Sequence, residues 1–257
     1  MDAVTHHGRQ TAYDVTSRSG AGPPLCCIHG SGGSRDRWRF QRRLADHAPV
    51  VSLDLSGHGE SDDIDATPGY STLSAYADDV LAVVDATESR TLLGGSLGGA
   101  VALHVLLERD VDLDGVILTG TGARLGVLDD LLTWLQTDFD RAVEFLHEPG
   151  CFFADPDPEL RDRSVETMYE CGQAVTRRDF LTCHTFDVRD RLEEIDVPTL
   201  VIYGTRDRLT PPWYHEYLAD EIPDCDAVEI SDVGHLSMLE RPETFNDAVE
   251  GFLTSLE

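Results

Sequence analysis

The chain has 257 residues, of which 48 are Asp or Glu and 20 are basic, so its formal charge is −28. All the basic residues are arginines, and hydrophobic residues make up 41% of the chain, which is enough for a large core and excludes a disordered acidic chain. The charge excludes a nucleic-acid-binding protein, because neutralising phosphates requires a basic surface, and it disfavours adhesion to anionic membranes. We therefore expect neither nucleic acid nor a membrane among the partners.

The N-terminal segment and the cysteines predict a cytoplasmic protein. Residues 1–15 have neither the basic nor the apolar stretch of a secretory signal, and no apolar run approaches the roughly 20 residues that span a bilayer. The six cysteines form no C-x-x-C pair, and a chain with a core of this size needs no disulfides. We expect the cysteines to be reduced.

Short apolar runs alternate with helical patterns along most of the chain. Residues 11–15 alternate in polarity and predict an edge strand. Continuous apolar runs predict strands of a parallel sheet that is covered on both faces, at residues 24–28, 50–53, 91–94, 115–119, 199–203 and 227–230. Helical patterns fall at residues 36–47, 74–87, 98–109, 212–221 and 243–256. This alternation predicts an α/β fold, with a mostly parallel sheet flanked by helices.

The alternation breaks once, between the strands predicted at 115–119 and 199–203. About 80 residues lie there, far more than one crossover helix requires. Leucines at 128, 131, 132 and 135 have the spacing of an amphipathic helix, and further helical stretches follow at 139–148, 158–174 and 177–194. We interpret residues 122–194 as a helical cap inserted into a core domain made of residues 1–121 and 195–257.

Specificity is expected to reside in this predicted cap. Its aromatic side chains are candidates either for apolar walls of a substrate pocket or for the core of the cap itself. They are Trp134, Phe139, Phe152 and Phe153.

A glycine-rich turn carries a candidate nucleophile. The strand predicted at 91–94 leads into the motif G-x-S-x-G, formed by Gly94, Ser96 and Gly98. A serine on a sharp strand-to-helix turn is held in strained geometry, and only small neighbours let the strand and helix approach so closely. The helix N-terminus also favours negative charge developing at the hydroxyl. A P-loop is excluded, because it requires a lysine and the chain has none.

Two further residues complete a candidate catalytic triad. Asp207 follows the strand predicted at 199–203, and His235 follows the one at 227–230. The chain order Ser96, Asp207, His235 is that of a hydrolase triad on an α/β sheet. We expect all three at the carboxyl edge of the sheet, where the loops after parallel strands converge.

With these motifs the sequence resembles the α/β-hydrolase superfamily over nearly its whole length. Besides the triad loops, the resemblance rests on His29-Gly30-Ser31-Gly32-Gly33 and on D-x-x-G-H-G-x-S at residues 54–61. It implies a serine hydrolase of small-to-medium esters or lactones that uses neither a cofactor nor a metal. It further implies that Ser96 is the nucleophile, His235 the base and Asp207 its orienting acid.

The resemblance also implies two backbone donors and one structural side chain. The N–H groups of Ser31 and Leu97 would hold the oxyanion, and the choice of side chain there matters little because the donors are backbone atoms. His58, inside D-x-x-G-H-G-x-S, is expected to have a structural role.

Two other functions remain open from the sequence. The segment His29-Gly30-Ser31-Gly32-Gly33 is similar to the H-G-S-G-P-G of hydrolases that cleave C–C bonds in ring-fission dienoates, although Gly33 replaces the proline. Those enzymes use the same triad, so the triad does not discriminate between the two reactions. A non-catalytic scaffold with a hydrolase fold is the other alternative, and the complete triad argues against it.

Five arginines lie within residues 35–43, directly after the predicted oxyanion loop. Arg35, Arg39, Arg42 and Arg43 share one face by helical spacing, and they form either a solvated, salt-bridged face or a cationic rim for anionic substrates. Cys26, Cys27 and His29 belong to residue types that bind metal ions. Because adjacent strand residues point to opposite faces, we expect core cysteines instead.

The excess of acids and the absence of lysine resemble the proteins of extremely halophilic organisms. Residues 1–128 hold 17 acids and 10 arginines, whereas residues 129–257 hold 31 acids and 10 arginines. Concentrated salt screens the repulsion among such carboxylates, which in dilute buffer opposes the compact state.

Dialysis from molar KCl into dilute buffer is therefore expected to lower the melting temperature and the activity of the purified protein. The physical cause is unscreened repulsion among the carboxylates. Calorimetry before and after dialysis measures the effect. An unchanged melting temperature and unchanged activity would remove the halophilic interpretation.

Overall fold

The computed structural model describes all 257 residues and contains one eight-stranded sheet with helices on both faces. The order across the sheet is β1-β2-β4-β3-β5-β6-β7-β8, with β1 and β2 antiparallel and the other strands parallel. The predicted α/β fold is confirmed. The strands are β1 (Asp2–His6), β2 (Arg9–Thr16), β3 (Leu25–Ile28), β4 (Val50–Leu53), β5 (Thr91–Gly95), β6 (Gly115–Thr119), β7 (Thr199–Gly204) and β8 (Cys225–Ile230).

Nine α-helices connect and cover the strands, and none of them is both long enough and apolar enough to cross a bilayer. Helices α3 to α6 lie in the segment between β6 and β7 that the sequence predicts to be a cap. The helices are α1 (Tyr70–Thr87), α2 (Leu97–Glu108), α3 (Asp129–Thr137), α4 (Phe139–Leu146), α5 (Pro158–Cys171), α6 (Gln173–Thr185), α7 (Pro212–Glu221), α8 (Ser237–Glu240) and α9 (Pro242–Ser255).

The α-helix predicted over residues 36–47 is wrong. This stretch forms two 3₁₀ helices, Arg35–Trp38 and Gln41–Asp46. Its buried residues Trp38, Gln41 and Leu44 recur every third position, which is the period of a 3₁₀ helix, so this winding turns all three toward the core.

The helix predicted over residues 177–194 is interrupted. Helix α6 ends at Thr185, and a 3₁₀ helix follows at Arg189–Glu194. Between them Phe186 is extended, and the amide of Val188 donates a hydrogen bond to the carbonyl of Ala123 at 2.8 Å. This hydrogen bond joins the end of the segment between β6 and β7 to its beginning.

The strand predicted at residues 11–15 is present, but its predicted position at the edge of the sheet is wrong. Those residues belong to β2, and the mostly exposed β1 covers its outer side. The two strands are joined by the two-residue turn His7–Gly8, in which both φ angles are positive, 47° and 77°. A type I′ hairpin turn requires this geometry, but without the usual Asn-Gly pair its sequence signal is weak.

The direction of strand addition reverses at β3. The chain passes from β3 to β4 on one side, and then returns to place β5 on the other side of β3. Ligands of open α/β sheets bind at the carboxyl ends of the strands at such a reversal. The loops that follow β3 and β5 meet there, and they contain Ser31 and Ser96.

Candidate active site

Ser96 lies on a strained turn between β5 and α2. Its φ of 55° and ψ of −118° are values that a residue other than glycine rarely adopts. The amide of Ser96 donates to the carbonyl of Thr119 at 2.9 Å, and the Thr121 hydroxyl donates to the carbonyl of Ser96 at 2.9 Å. The residues around the turn therefore hold the serine in this conformation.

The glycines of this turn allow a close approach of backbone to backbone. A Cβ added at Gly98 would collide with the carbonyl oxygen of Ile28, the last residue of β3. A Cβ at Gly30, in the loop after β3, would lie 2.9 Å from the Cβ of Ser96. Because neither position has a side chain, the loop after β3 reaches the serine directly.

Asp207 and His235 form a buried pair. His235 Nδ1 lies 2.8 Å from Asp207 Oδ2, and both side chains are almost fully buried. The other carboxylate oxygen, Oδ1, accepts from the amides of Leu209 and Thr210 at 2.8 and 2.9 Å. The carboxylate is thus fixed in orientation by the turn that follows β7.

Thr210 is a member of this network that the sequence prediction missed. Its hydroxyl donates to Asp207 Oδ2 at 2.7 Å and lies 3.1 Å from His235 Nδ1. The sequence does contain a signal for it. Thr210 stands three residues after Asp207, a spacing at which an Asp side chain commonly accepts hydrogen bonds from the turn that follows it.

The pKa of Asp207 is lowered from its ordinary value. Burial by itself would raise this pKa, but the charge and hydrogen bond of His235 and the hydrogen bonds from Thr210 outweigh burial. Asp207 is therefore a carboxylate at neutral pH and can stabilise a proton on His235.

Ser96 and His235 line the same cavity, and their side chains are not hydrogen-bonded to each other. In unliganded hydrolytic sites the bond between nucleophile and base is often long and shortens only in the substrate complex. The structure thus brings Ser96, Asp207 and His235 to one edge of the sheet.

Two backbone amides near Ser96 have no acceptor in the protein. They are the N–H of Leu97, at the N-terminus of α2, and the N–H of Ser31, in the loop after β3. An oxyanion hole requires two such free donors that converge on one point beside the nucleophile.

Asp179 of α6 holds the loop that contains Ser31. Its buried carboxylate accepts from the amide of Gly32 at 3.2 Å and from the Tyr76 hydroxyl at 2.7 Å, and His58 Nε2 lies 2.9 Å away. Burial by itself would lower the pKa of His58, but the Asp179 charge outweighs it and holds this pKa well above the usual range. His58 and Asp179 thus form a buried ion pair between the D-x-x-G-H-G-x-S loop and α6.

A cavity of about 280 Å³ opens at Ser96 and is mostly apolar. Of the four aromatic residues predicted as walls or cap core, only Phe152 lines it. Trp134 instead packs on Phe145 and Arg141, Phe139 packs on Tyr169, and Phe153 is buried in the core. The apolar lining comes largely from the segment between β6 and β7, through Leu125, Leu128, Leu131, Phe145, Phe152 and Phe180.

A wider cleft lies elsewhere, between Ser34 and α5. Its volume is about 810 Å³, and its lining is mainly charged, with only one hydrophobic residue. It contains none of the predicted site residues, so we place the candidate site at the smaller cavity.

The arginines at 35–43 divide into two groups. Four of them face carboxylates, which favours the salt-bridged face over the cationic rim. The pairs are Arg35 with Asp14 and Asp54, Arg39 with Asp36, Arg42 with Asp14, and Arg43 with Glu243. The fifth, Arg37, is buried without such a partner.

Cys26, Cys27 and His29 do not form a metal site. Cys26 and Cys27 point to opposite faces of β3 into two different core clusters, as predicted. His29 lies against the carbonyl of Gly30 and accepts from the amide of Leu55 at 3.1 Å. No group of three or more His, Cys, Asp or Glu side chains in the chain is arranged to hold a metal ion.

Known proteins resemble this chain in sequence and in structure. A family model described as the alpha/beta hydrolase family matches residues 27–248. The pimeloyl acyl-carrier-protein methyl ester esterase of Neisseria meningitidis is 29% identical, over 88% of this chain and 92% of its own length. The 3-oxoadipate enol-lactonase 1 of Acinetobacter baylyi is 25% identical, over 99% and 97%. The solved structure of Est816, described as an N-acyl homoserine lactone degrading enzyme, has a TM-score of 0.83 at 29% identity, over 98% of this chain and 100% of that one.

Gly98→Ala is expected to destabilise the protein by about 1–3 kcal/mol, because the new methyl group overpacks against the carbonyl of Ile28. Gly251→Ala is the matched control, since a Cβ there meets no atom within 4 Å and lies on helix α9. The control should gain up to about 1 kcal/mol from helix propensity. Urea unfolding measures both variants, and equal stability of the two would contradict the close approach.

Proposed function

The chain belongs to the alpha/beta hydrolase family, and we propose that it is a serine hydrolase that cleaves small-to-medium carboxylic esters or lactones through an acyl-enzyme on Ser96. One observation carries the proposal. Ser96 stands on a strained turn in the same cavity as His235, whose Nδ1 lies 2.8 Å from the Asp207 carboxylate.

The proposed reaction begins with proton transfer from the Ser96 hydroxyl to His235. Asp207 orients the imidazole and stabilises the imidazolium that forms, while Ser96 attacks the scissile carbonyl. The free N–H groups of Ser31 and Leu97 hold the tetrahedral oxyanion, and each such donor is typically worth about 3–4 kcal/mol in the transition state. His235 then protonates the leaving alcohol.

Deacylation repeats these roles with water. His235 removes a proton from the water, which attacks the acyl-enzyme and releases the acid together with free Ser96. No cofactor or metal is required in either half of this proposed mechanism.

The cavity supports the proposed substrate class. Its volume of about 280 Å³ and its mostly apolar lining suit an acyl or alkyl group of modest size. The relatives named as a methyl ester esterase, an enol-lactonase and a lactone-degrading enzyme point the same way. We propose that residues 122–194 act as the cap that sets specificity, because they supply most of the apolar wall.

We further propose that the enzyme works in the cytoplasm of a salt-rich cell. All six cysteines are free, and two of them are adjacent in the core, which suits a reducing compartment. The charge of −28 suits concentrated salt. Assays of this enzyme therefore belong in molar KCl.

Ser96→Ala is expected to lower the turnover of p-nitrophenyl acetate by about 10⁴-fold or more while the fold stays intact, because it removes the nucleophile. Ser255→Ala, exposed at the end of α9, is the matched control and should keep full activity. Undiminished turnover by Ser96→Ala would remove Ser96 from the mechanism.

A panel of substrates separates ester or lactone hydrolysis from C–C bond hydrolysis. It contains p-nitrophenyl esters of increasing acyl length, lactones and a ring-fission dienoate, all in molar KCl. Faster turnover of esters or lactones supports the proposal, whereas preferential cleavage of the dienoate would replace it with C–C bond hydrolysis.

A further inference from the structure

Arg37 is the only buried arginine of the chain, and it has no ionic partner. It is 6% exposed, its Nη2 is buried without a hydrogen-bond acceptor, and no carboxylate lies within ion-pair distance. The adjacent Asp36 is instead paired with Arg39 and Arg163. An unpaired buried cation is destabilising, so its presence requires an explanation.

Arg37 borders the candidate site and also lines a second small cavity beside Asp36 and Arg163. Arg37, Ser96 and His235 line one small cavity of about 10 Å³, which has room for one oxygen atom of a carboxylate. Ser31 and Phe152 line both this cavity and the apolar cavity of about 280 Å³. The small cavity therefore adjoins the apolar cavity at the nucleophile.

The surroundings keep Arg37 in place without neutralising it. Its Cζ lies 5.6 Å from the ring centroid of Phe152, which in turn stacks on His235 at 5.9 Å. No Asp or Glu lines the small cavity. Burial lowers the pKa of Arg37 to about 10, so the side chain is still a cation at neutral pH.

A purely structural role explains this arrangement poorly. A hydrophobic side chain of similar volume would pack on Phe152 without the penalty of an unpaired charge. A guanidinium offers a planar fork of N–H donors that matches a carboxylate, so the missing partner is best supplied from outside the protein.

We propose that Arg37 binds a carboxylate of the substrate, so that the enzyme prefers esters that carry a carboxylate a few atoms from the scissile carbonyl. The short spacing follows from the small cavity, because Arg37 and Ser96 are both part of its wall. The inference rests on the proposed function, since it names a substrate class for the same site.

The test compares anionic esters with neutral esters of the same shape. Monomethyl succinate and methyl 4-methylvalerate differ by a carboxylate on the acyl side, and acetoxyacetate and isobutyl acetate differ by a carboxylate on the alcohol side. Each pair is assayed with the natural chain, with Arg37→Met and with Arg37→Lys in molar KCl. Arg42→Met is the matched control, because Arg42 is paired with Asp14 and lies outside both cavities.

Arg37→Met is expected to lower kcat/KM for the anionic ester of at least one pair by roughly 10- to 100-fold, because it removes a charged hydrogen-bond donor. Turnover of the neutral ester should change by less than about threefold. Arg37→Lys keeps the charge but not the fork, so it should retain part of the preference. The pair that responds identifies the side of the ester that carries the carboxylate.

Two further measurements keep the inference separate from the proposed function. Without ligand, Arg37→Met should melt about 2–4 °C higher than the natural chain, because an unpaired buried charge is gone. In the Ser96→Ala background, millimolar succinate should raise the melting temperature, and adding Arg37→Met should abolish that rise.

The outcomes are distinct. Equal loss of activity on anionic and neutral esters, together with a lower melting temperature, would make Arg37 a structural residue and overturn the inference. A second outcome separates the two proposals. If succinate raises the melting temperature only when Arg37 is present, but turnover does not depend on Ser96, the carboxylate site stands and the proposed mechanism is rejected.

Discussion

The close contact between the end of β3 and the first turn of α2 is the constraint on which the rest of the site depends. No side chain fits at Gly98, because it would occupy the space of the Ile28 carbonyl. Helix α2 therefore begins directly over the end of β3, at the point where the strand order reverses. The loop after β3 and the turn of Ser96 become neighbours for this reason, and each contains a backbone amide without an acceptor in the protein.

The segment between β6 and β7 adds a second constraint from the opposite side. Asp179 of α6 reaches the amide of Gly32, so the position of the loop after β3 depends on a residue far away in sequence. The same segment supplies most of the apolar wall of the cavity. Its helices therefore shape the pocket and at the same time hold the loop next to Ser96.

The sequence predicted those parts of the molecule whose signals are local. Gly94, Ser96 and Gly98 form one turn, and Asp207 and His235 lie in the loops after β7 and β8. The motif, the chain order and the placement after strands therefore predicted that the three side chains meet at one edge of the sheet. Strand β1 was missed because it is exposed and its turn uses His7–Gly8. Trp38, Gln41 and Leu44 repeat every three residues, which is close to the 3.6-residue period of an α-helix. The sequence alone therefore does not distinguish the 3₁₀ helices from an α-helix.

The contacts that could not be predicted join residues far apart in the chain. The pairing of His58 with Asp179 depends on how α6 lies against the core. Among the arginines at 35–43, spacing drew attention to the four on one face, yet these proved to be salt-bridged. Burial and the lack of a partner single out Arg37, and neither property can be read from spacing.

The central claim, an activated serine at position 96, is tested most directly by covalent labelling. The natural chain in molar KCl is treated with a fluorophosphonate, and the adduct is located by peptide mass spectrometry. The account predicts a single adduct on Ser96 that is absent from Ser96→Ala. A folded protein that carries no adduct on Ser96, or that is labelled only elsewhere, would contradict it and favour a non-catalytic scaffold.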